Sequence, residues 1–295
     1  MSEFAETLQR KLKSAGQLKS VVRTMKALAA SNIIQYERAV ASLADYHRAV
    51  ELALVACVKQ SDPVVQTMQK PPRGAAVAAI VFGSDQGLVG QFNEHIAHFA
   101  AEHLATRPGA KVVWVVGDHL RPRLEDAGLA VGGVYPVPNS VAAITPLVSQ
   151  ILIDDEVLRQ KGKIWEVHVF HNQPRSRATY EPFRQRLFPF DEQWQRDLGK
   201  IKWPTKMLAE VIYRSAPTFL ALIREYLVVS LFKACAESLA SENASRLAAM
   251  QRAERNIDER VDELRTAFNQ DRQSSIDEEL FDVISGFETL TLDSH

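Results

Sequence analysis

The sequence predicts an α/β protein in which long N- and C-terminal helices form an antiparallel coiled coil around a central domain with a mostly parallel sheet. Three observations carry this reading. All 13 prolines and 11 of the 13 glycines lie between Pro63 and Pro217, so uninterrupted helices are possible only in the two flanks. Apolar residues in both flanks recur at spacings of three and four. Between the flanks, apolar runs bounded by glycine and proline alternate with amphipathic stretches.

The first segment, residues 1–62, carries Leu8, Leu12, Ala15, Leu18, Val22, Met25, Ala29, Ile33, Tyr36, Val40, Leu43, His47, Val50 and Leu54 as one seam. The middle, about 73–212, holds three strand-like runs, AAVAAIVF (75–82), KVVWVVG (111–117) and IWEVHVF (164–170), with helices read over 90–105 and 140–160. Strand, helix, strand, helix implies a Rossmann-like layer of parallel strands covered by helices. TYEPFRQRLFPF (179–190) reads as an added edge strand, where its prolines are tolerable. The last segment, 215–292, opens with Ser215 as a cap and Pro217 in the first turn. Its stripe runs through Leu220, Ile223, Leu227, Leu231, Ala234, Met250, Ala253, Ile257, Val261, Leu264 and Phe268.

At about 1.5 Å per residue the first helix spans on the order of 85 Å and the second about 105 to 110 Å. Paired antiparallel from the central domain, the second overshoots by roughly 20 Å, from near residue 273 onward. There Ile276, Leu280, Phe281, Ile284, Phe287 and Leu290 still keep an apolar stripe, which needs a mate outside the chain.

With 35 basic and 36 acidic side chains the formal net charge is −1, which argues against a nucleic-acid binder. No stretch has the length and apolarity of a membrane span, and MSEFAETLQRKLK lacks the apolar core of an export signal, so a soluble chain without direct membrane insertion is expected. Cys57 and Cys235 fall in apolar helical runs and read as buried thiols. Arg10, Lys11, Lys13, Lys19, Arg23 and Lys26 form a basic run without acids, which by itself reads as a solvated helix face and gains meaning only if the helix has an acidic partner.

Two enzyme-like readings are weaker. GSDQGLVGQFNEH follows a strand and opens a helix, yet Gly83, Gly87 and Gly90 fit neither phosphate-loop spacing, and no lysine follows. The glycines are better explained by a tight turn and close helix packing. His95, His98 and His103 with Glu94 and Glu102 do not share one helix face, and His168 and His171 point to opposite sides of a strand, so no metal site is expected. A free-standing structural coiled coil that dimerises is the other alternative.

The stretch SENASRLAAMQRAERNIDERVDELRTAFNQDRQSSIDEELFDVISG resembles the C-terminal helix of the γ subunit of F-type ATP synthases: Glu242, Arg246, Ala249 and Met250 match one element of that family, and Asn269, Arg272, Gln273, Ile276 and Gly286 match the next. LQRKLKSAGQLKSVVRTMKALAAS, with Met25 and Ala30-Ser31, is similar to its opening helix. SDQGLVGQFN, with Ser84, Asp85, Gly87 and Gly90, is similar to its central motif. The chain departs from the pattern at Gln86, Val89, Leu247, Asp277 and Phe287.

The resemblance implies a non-catalytic central shaft without cofactor. It turns inside the α and β subunits and contacts the ε subunit and the c-ring, as a peripheral subunit on the cytoplasmic face of the inner (plasma) membrane. It further implies that Arg272, Gln273, Asn269 and Asp277 face a β-subunit loop, that Met25 lies near the same contact, that Phe287 turns in an apolar sleeve, and that Arg23 and Lys26 meet partner acids.

Overall fold

The computed structural model describes residues 3–60, 76–160, 164–175, 179–190, 192–207, 211 and 216–292. Its elements run α1 (Glu3–Gln60), β1 (Ala76–Phe82), α2 (Phe92–Ala105), β2 (Lys111–Val116), α3 (Arg121–Asp126), β3 (Val131–Tyr135), α4 (Ile144–Gln160), β4 (Ile164–Pro174), β5 (Tyr180–Phe188), α5 (Glu192–Gly199) and α6 (Ala216–Leu292). α1 is a single helix of 58 residues and α6 one of 77. Pro217 sits in the first turn of α6, where no hydrogen bond is lost; Ser215 lies outside the described residues.

The compact units do not follow the three sequence segments. One comprises residues 1–28 with 247–295, the other residues 29–246. Each long helix therefore contributes its terminal half to one unit and its inner half to the other.

In the larger unit the sheet has the order β3-β2-β1-β4-β5. The first four strands are parallel, and β5 joins β4 antiparallel as the edge. Every residue of β1 is buried, as expected for a central strand covered on both faces. Its alternate residues enter two cores. Ala78, Ile80 and Phe82 pack with α4 and with the inner parts of α1 and α6, while Val77, Ala79 and Val81 pack with Ile96, Ala100 and Leu104 of α2 and with Leu120 and Leu124.

The three anticipated strands and the edge strand are present, and β3 is additional. Its sequence, Val-Gly-Gly-Val-Tyr, places two glycines where a strand signal needs branched side chains. Pairing with β2 supplies the order that the sequence lacks. His168 and His171 do leave β4 on opposite faces: His168 lies 2.9 Å from Glu166, whereas His171 Nε2 is 2.8 Å from Glu237 on α6. Both cysteines are buried thiols. Among the described residues no group of three His, Cys, Asp or Glu side chains is arranged to hold a metal ion.

One glycine is indispensable to this sheet. Gly117 closes β2 at φ +109°, and a Cβ there would lie 2.7 Å from the Ser84 backbone. Neither the left-handed conformation nor a neighbouring main chain yields to a methyl group. Gly117→Ala should therefore lower unfolding free energy by about 2 kcal/mol or more in chemical denaturation; an unchanged midpoint would show that the β2 end is not held as described.

Candidate partner-contact surface

In the smaller unit the two helices are matched by charge. Lys19 pairs with Asp258, and Glu254 receives Arg23 Nε at 2.8 Å on one oxygen and Lys26 on the other. Residue i of α1 thus lies across from about residue 277 − i of α6. Leu8 at one end of this pairing, and Met250 and Leu264 opposite, are buried apolar side chains.

The inward line on α1 follows a heptad through Leu8, Leu12, Ala15, Lys19, Val22, Lys26 and Ala29, of which Leu8 and Ala29 are buried and the rest half-buried. This corrects the sequence-derived seam. Leu18 is 58% exposed, and Lys19 takes the inward position because an ammonium there reaches Asp258. Polar residues at seam positions fix register, since any slip strands a charge. Three members of the basic run, Lys19, Arg23 and Lys26, accordingly have their acidic partner on α6. Leu18, Val21 and Leu28, all exposed, form a second apolar stripe on the side of α1 turned from this seam.

The register leaves α6 without an α1 residue opposite it beyond about residue 274. Ile276, Leu280, Phe281, Val283 and Ile284 are all exposed there. Asn269, Arg272, Gln273 and Asp277 are exposed as well, and Asn269, Gln273, Ile276 and Leu280 fall on one stripe at helical spacing. Met25 does not join them. It is half-buried across from about residue 252, some twenty residues or about 30 Å along α6 from Arg272. The surroundings of Gly286 and the side chain of Phe287 lie outside what is described.

In the larger unit the glycine loop, residues 83–91, leaves β1 where the strand order reverses, the place at which open parallel sheets take their ligands. Here the loop's polar groups are spent on the protein itself. Asn93 Oδ1 accepts the Ser84 N–H at 3.1 Å, and Asn93 Nδ2 donates to the Ser84 hydroxyl at 2.8 Å. Asp85 accepts the N–H of Asp118 at 2.9 Å and that of Val137 at 2.7 Å, tying the ends of β2 and β3 to β1. A Cβ at Gly87 would lie 3.2 Å from His119 Nε2, and Gly90 turns at φ +59°. The Ser245 hydroxyl of α6 donates to the Val89 carbonyl, which plugs the crevice with the long helix.

Glu242, on the same helix, is buried beside Arg246 at 2.6 Å, and its second oxygen has no partner. Burial pushes its carboxyl above the usual range against the pull of Arg246. Leu88 was not anticipated. It holds φ +62°, costly for a branched side chain, and still presents that side chain 62% exposed.

A family model described as ATP synthase matches residues 5–290. The chain belongs to the ATP synthase γ family. It is 27% identical over 294 residues to the ATP synthase gamma chain of Clavibacter sepedonicus, covering 95% of both chains. To that of a Nocardioides species it is 28% identical over 295 residues, covering 95% of this chain and 94% of the other. Among solved structures it resembles a chain of the Euglena gracilis mitochondrial ATP synthase, described as OSCP/F1/c-ring in rotational state 3. That likeness has TM-score 0.64 at 15% identity, over 97% of this chain and 94% of that one. A second likeness, to the rotor of the same enzyme, has TM-score 0.60 at 14% identity. At these identities the likenesses establish the fold: two long helices and a mostly parallel five-stranded sheet.

The lock of this γ-family helix pair titrates. Lys26 first and Arg23 second hold the Glu254 carboxyl down to about 2. A carboxylate depressed on folding adds stability above its unfolded value near 4.3, and that stability is lost as pH falls toward 2. Thermal melts of the chain should show a steeper loss between about pH 4.5 and 2 for wild type than for Glu254→Gln. The variant should melt lower at pH 7; equal melting at pH 7 and parallel acid curves would mean that the pair does not hold the helices.

Proposed function

We propose that this γ-family chain is the central rotating shaft of a rotary F-type ATP synthase, coupling ion flow through a membrane sector to ATP synthesis or hydrolysis. The observation that carries the reading is the unpaired end of α6, apolar and exposed beyond the register that α1 can cover. A helix end of this composition is stable in water only when something encloses it, and a sleeve of α and β subunits is the enclosure the family implies. Arg272, Gln273 and Asn269 stand just before that end, where they would reach polar groups of a β-subunit loop, with Asp277 adding a negative charge beside them. Phe287 would turn inside the sleeve.

The chain would do no chemistry itself. Its glycine loop binds its own strands and helix, so the crevice serves as an anchorage for α6 in place of a nucleotide site. Torque needs only that the shaft bind the β-subunit states unequally, because a contact of equal strength in every state shifts no equilibrium. The ε subunit and c-ring are the proposed partners of the larger unit. Through those partners the chain would take a peripheral place on the cytoplasmic face; no helix among the described residues is long and apolar enough to cross a membrane.

The test is ATP hydrolysis by α and β subunits of the same source, reassembled with and without this chain. Full-length chain should give a stable complex with much raised activity, and deletion from Gln273 onward should lower its yield several-fold. No complex, or activity indifferent to the chain, would refute the shaft.

A further inference from the structure

The sequence of β5 alternates Arg184 and Arg186, two residues apart and so on one face of the edge strand. Across the antiparallel pair Arg186 stands opposite His168 and Arg184 opposite Phe170, so these four side chains share that face. It is the face that α2 covers: Phe99 and His103 pack on the Phe170 ring at centroid distances of 6.1 and 6.2 Å. The helix ends at Ala105, and past its end the face is left to charged groups. Arg107 Nη1 lies 3.4 Å from Glu166, and His168 Nε2 lies 2.9 Å from the same carboxylate. Lys111 stands two strands over on β2, in the same row through Val77 of β1.

A guanidinium keeps its charge at every pH a protein meets, so guanidinium groups gathered here cannot relieve their repulsion by losing protons. Glu166 is drawn on by His168, Arg107 and Arg186 together, which hold it below the usual carboxylate range. Arg184 is pushed below the usual arginine range by burial and by Arg107, with Arg186 adding to it and Glu166 opposing. Arg107 is 37% exposed at its side chain and Arg184 and Arg186 are half-buried, so water screens them only in part. The isolated fold bears this as a local conflict, and such conflicts mark sites held for something outside the fold.

We propose that this cationic corner of the sheet, Arg107 and Arg184 beside Glu166 with Lys111 further along the same face, is a docking site for an acidic segment of a protein partner. Carboxylates are the fitting chemistry, because guanidinium forks spaced along a strand match carboxylates spaced along a peptide. The chain as a whole, at net charge −1, offers no broad positive field for a nucleic acid or a lipid surface. The proposal rests on the chain working within an assembly, but its test does not require the α and β subunits.

The full chain and its Arg184→Gln and Arg107→Gln variants are compared in two measurements. In thermal melts, Arg184→Gln should hold or raise the melting temperature, since it removes repulsion and keeps a polar side chain. In titrations with a polyglutamate peptide, wild type should bind in a salt-sensitive manner and each variant about tenfold more weakly. A lower melting temperature for Arg184→Gln with unchanged peptide binding would make the cluster structural and overturn the proposal. So would absent binding by wild type, or inorganic phosphate binding as well as the peptide does. Loss of the shaft reading would appear separately, as a wild-type chain that fails to join α and β.

Discussion

The antiparallel match of α1 with α6 is the constraint on which the rest depends. It is set by few charges. Lys19 and Lys26 occupy seam positions that leucine or alanine would fill in an ordinary coiled coil, and each is satisfied by one acid of α6. A shift by one heptad would part both lysines from their acids and set Lys19 opposite Gln251 or Arg265, although each exposed ion pair is worth only about 1 kcal/mol or less. Charge here supplies specificity more than strength. Because register is fixed, the point where α1 stops being available to α6 is also fixed, and so is the length of α6 left for a partner.

The larger unit turns a common layout to an uncommon use. Its parallel strands bring the 83–91 loop to the position where related sheets open for ligands, and α6 occupies that position through Ser245. Asp85 then ties the ends of β2 and β3 to the loop after β1, one through each oxygen, so the loop that could have held a phosphate fastens the sheet. Leu88 is the exception, strained and presented outward by a turn otherwise devoted to internal contacts. A shaft must resist torque at its base, and a loop sewn to strands and helix alike is suited to it.

The two long helices were legible because each flank has a single glycine and no proline past its first turn, and the apolar stripe runs nearly unbroken. The buried strands were legible as continuous branched runs. β3 was not, because Gly132 and Gly133 carry no side-chain signal and its order comes from β2. The seam was misread at Leu18 for a related reason: apolarity favours leucine, and the winning residue is a lysine whose partner, Asp258, lies 239 positions away. Asn269, Arg272, Gln273 and Asp277 were singled out by motif and are exposed, whereas Lys26 is half-buried, and Met25 was grouped with Arg272 and Gln273 when helix geometry separates them by about 30 Å. Distances along a rod are invisible to a motif and plain once the register is known.

Register is therefore what most needs measuring. Spin labels placed at the exposed positions Ser20 and Glu259, which the pairing sets side by side across the helices, would report it by pulsed dipolar spectroscopy. The account predicts a single short, narrow distance in the full chain, kept when the chain joins its partners. A long or broad distribution would contradict the pairing, and with it the unpaired end of α6 on which the shaft reading stands.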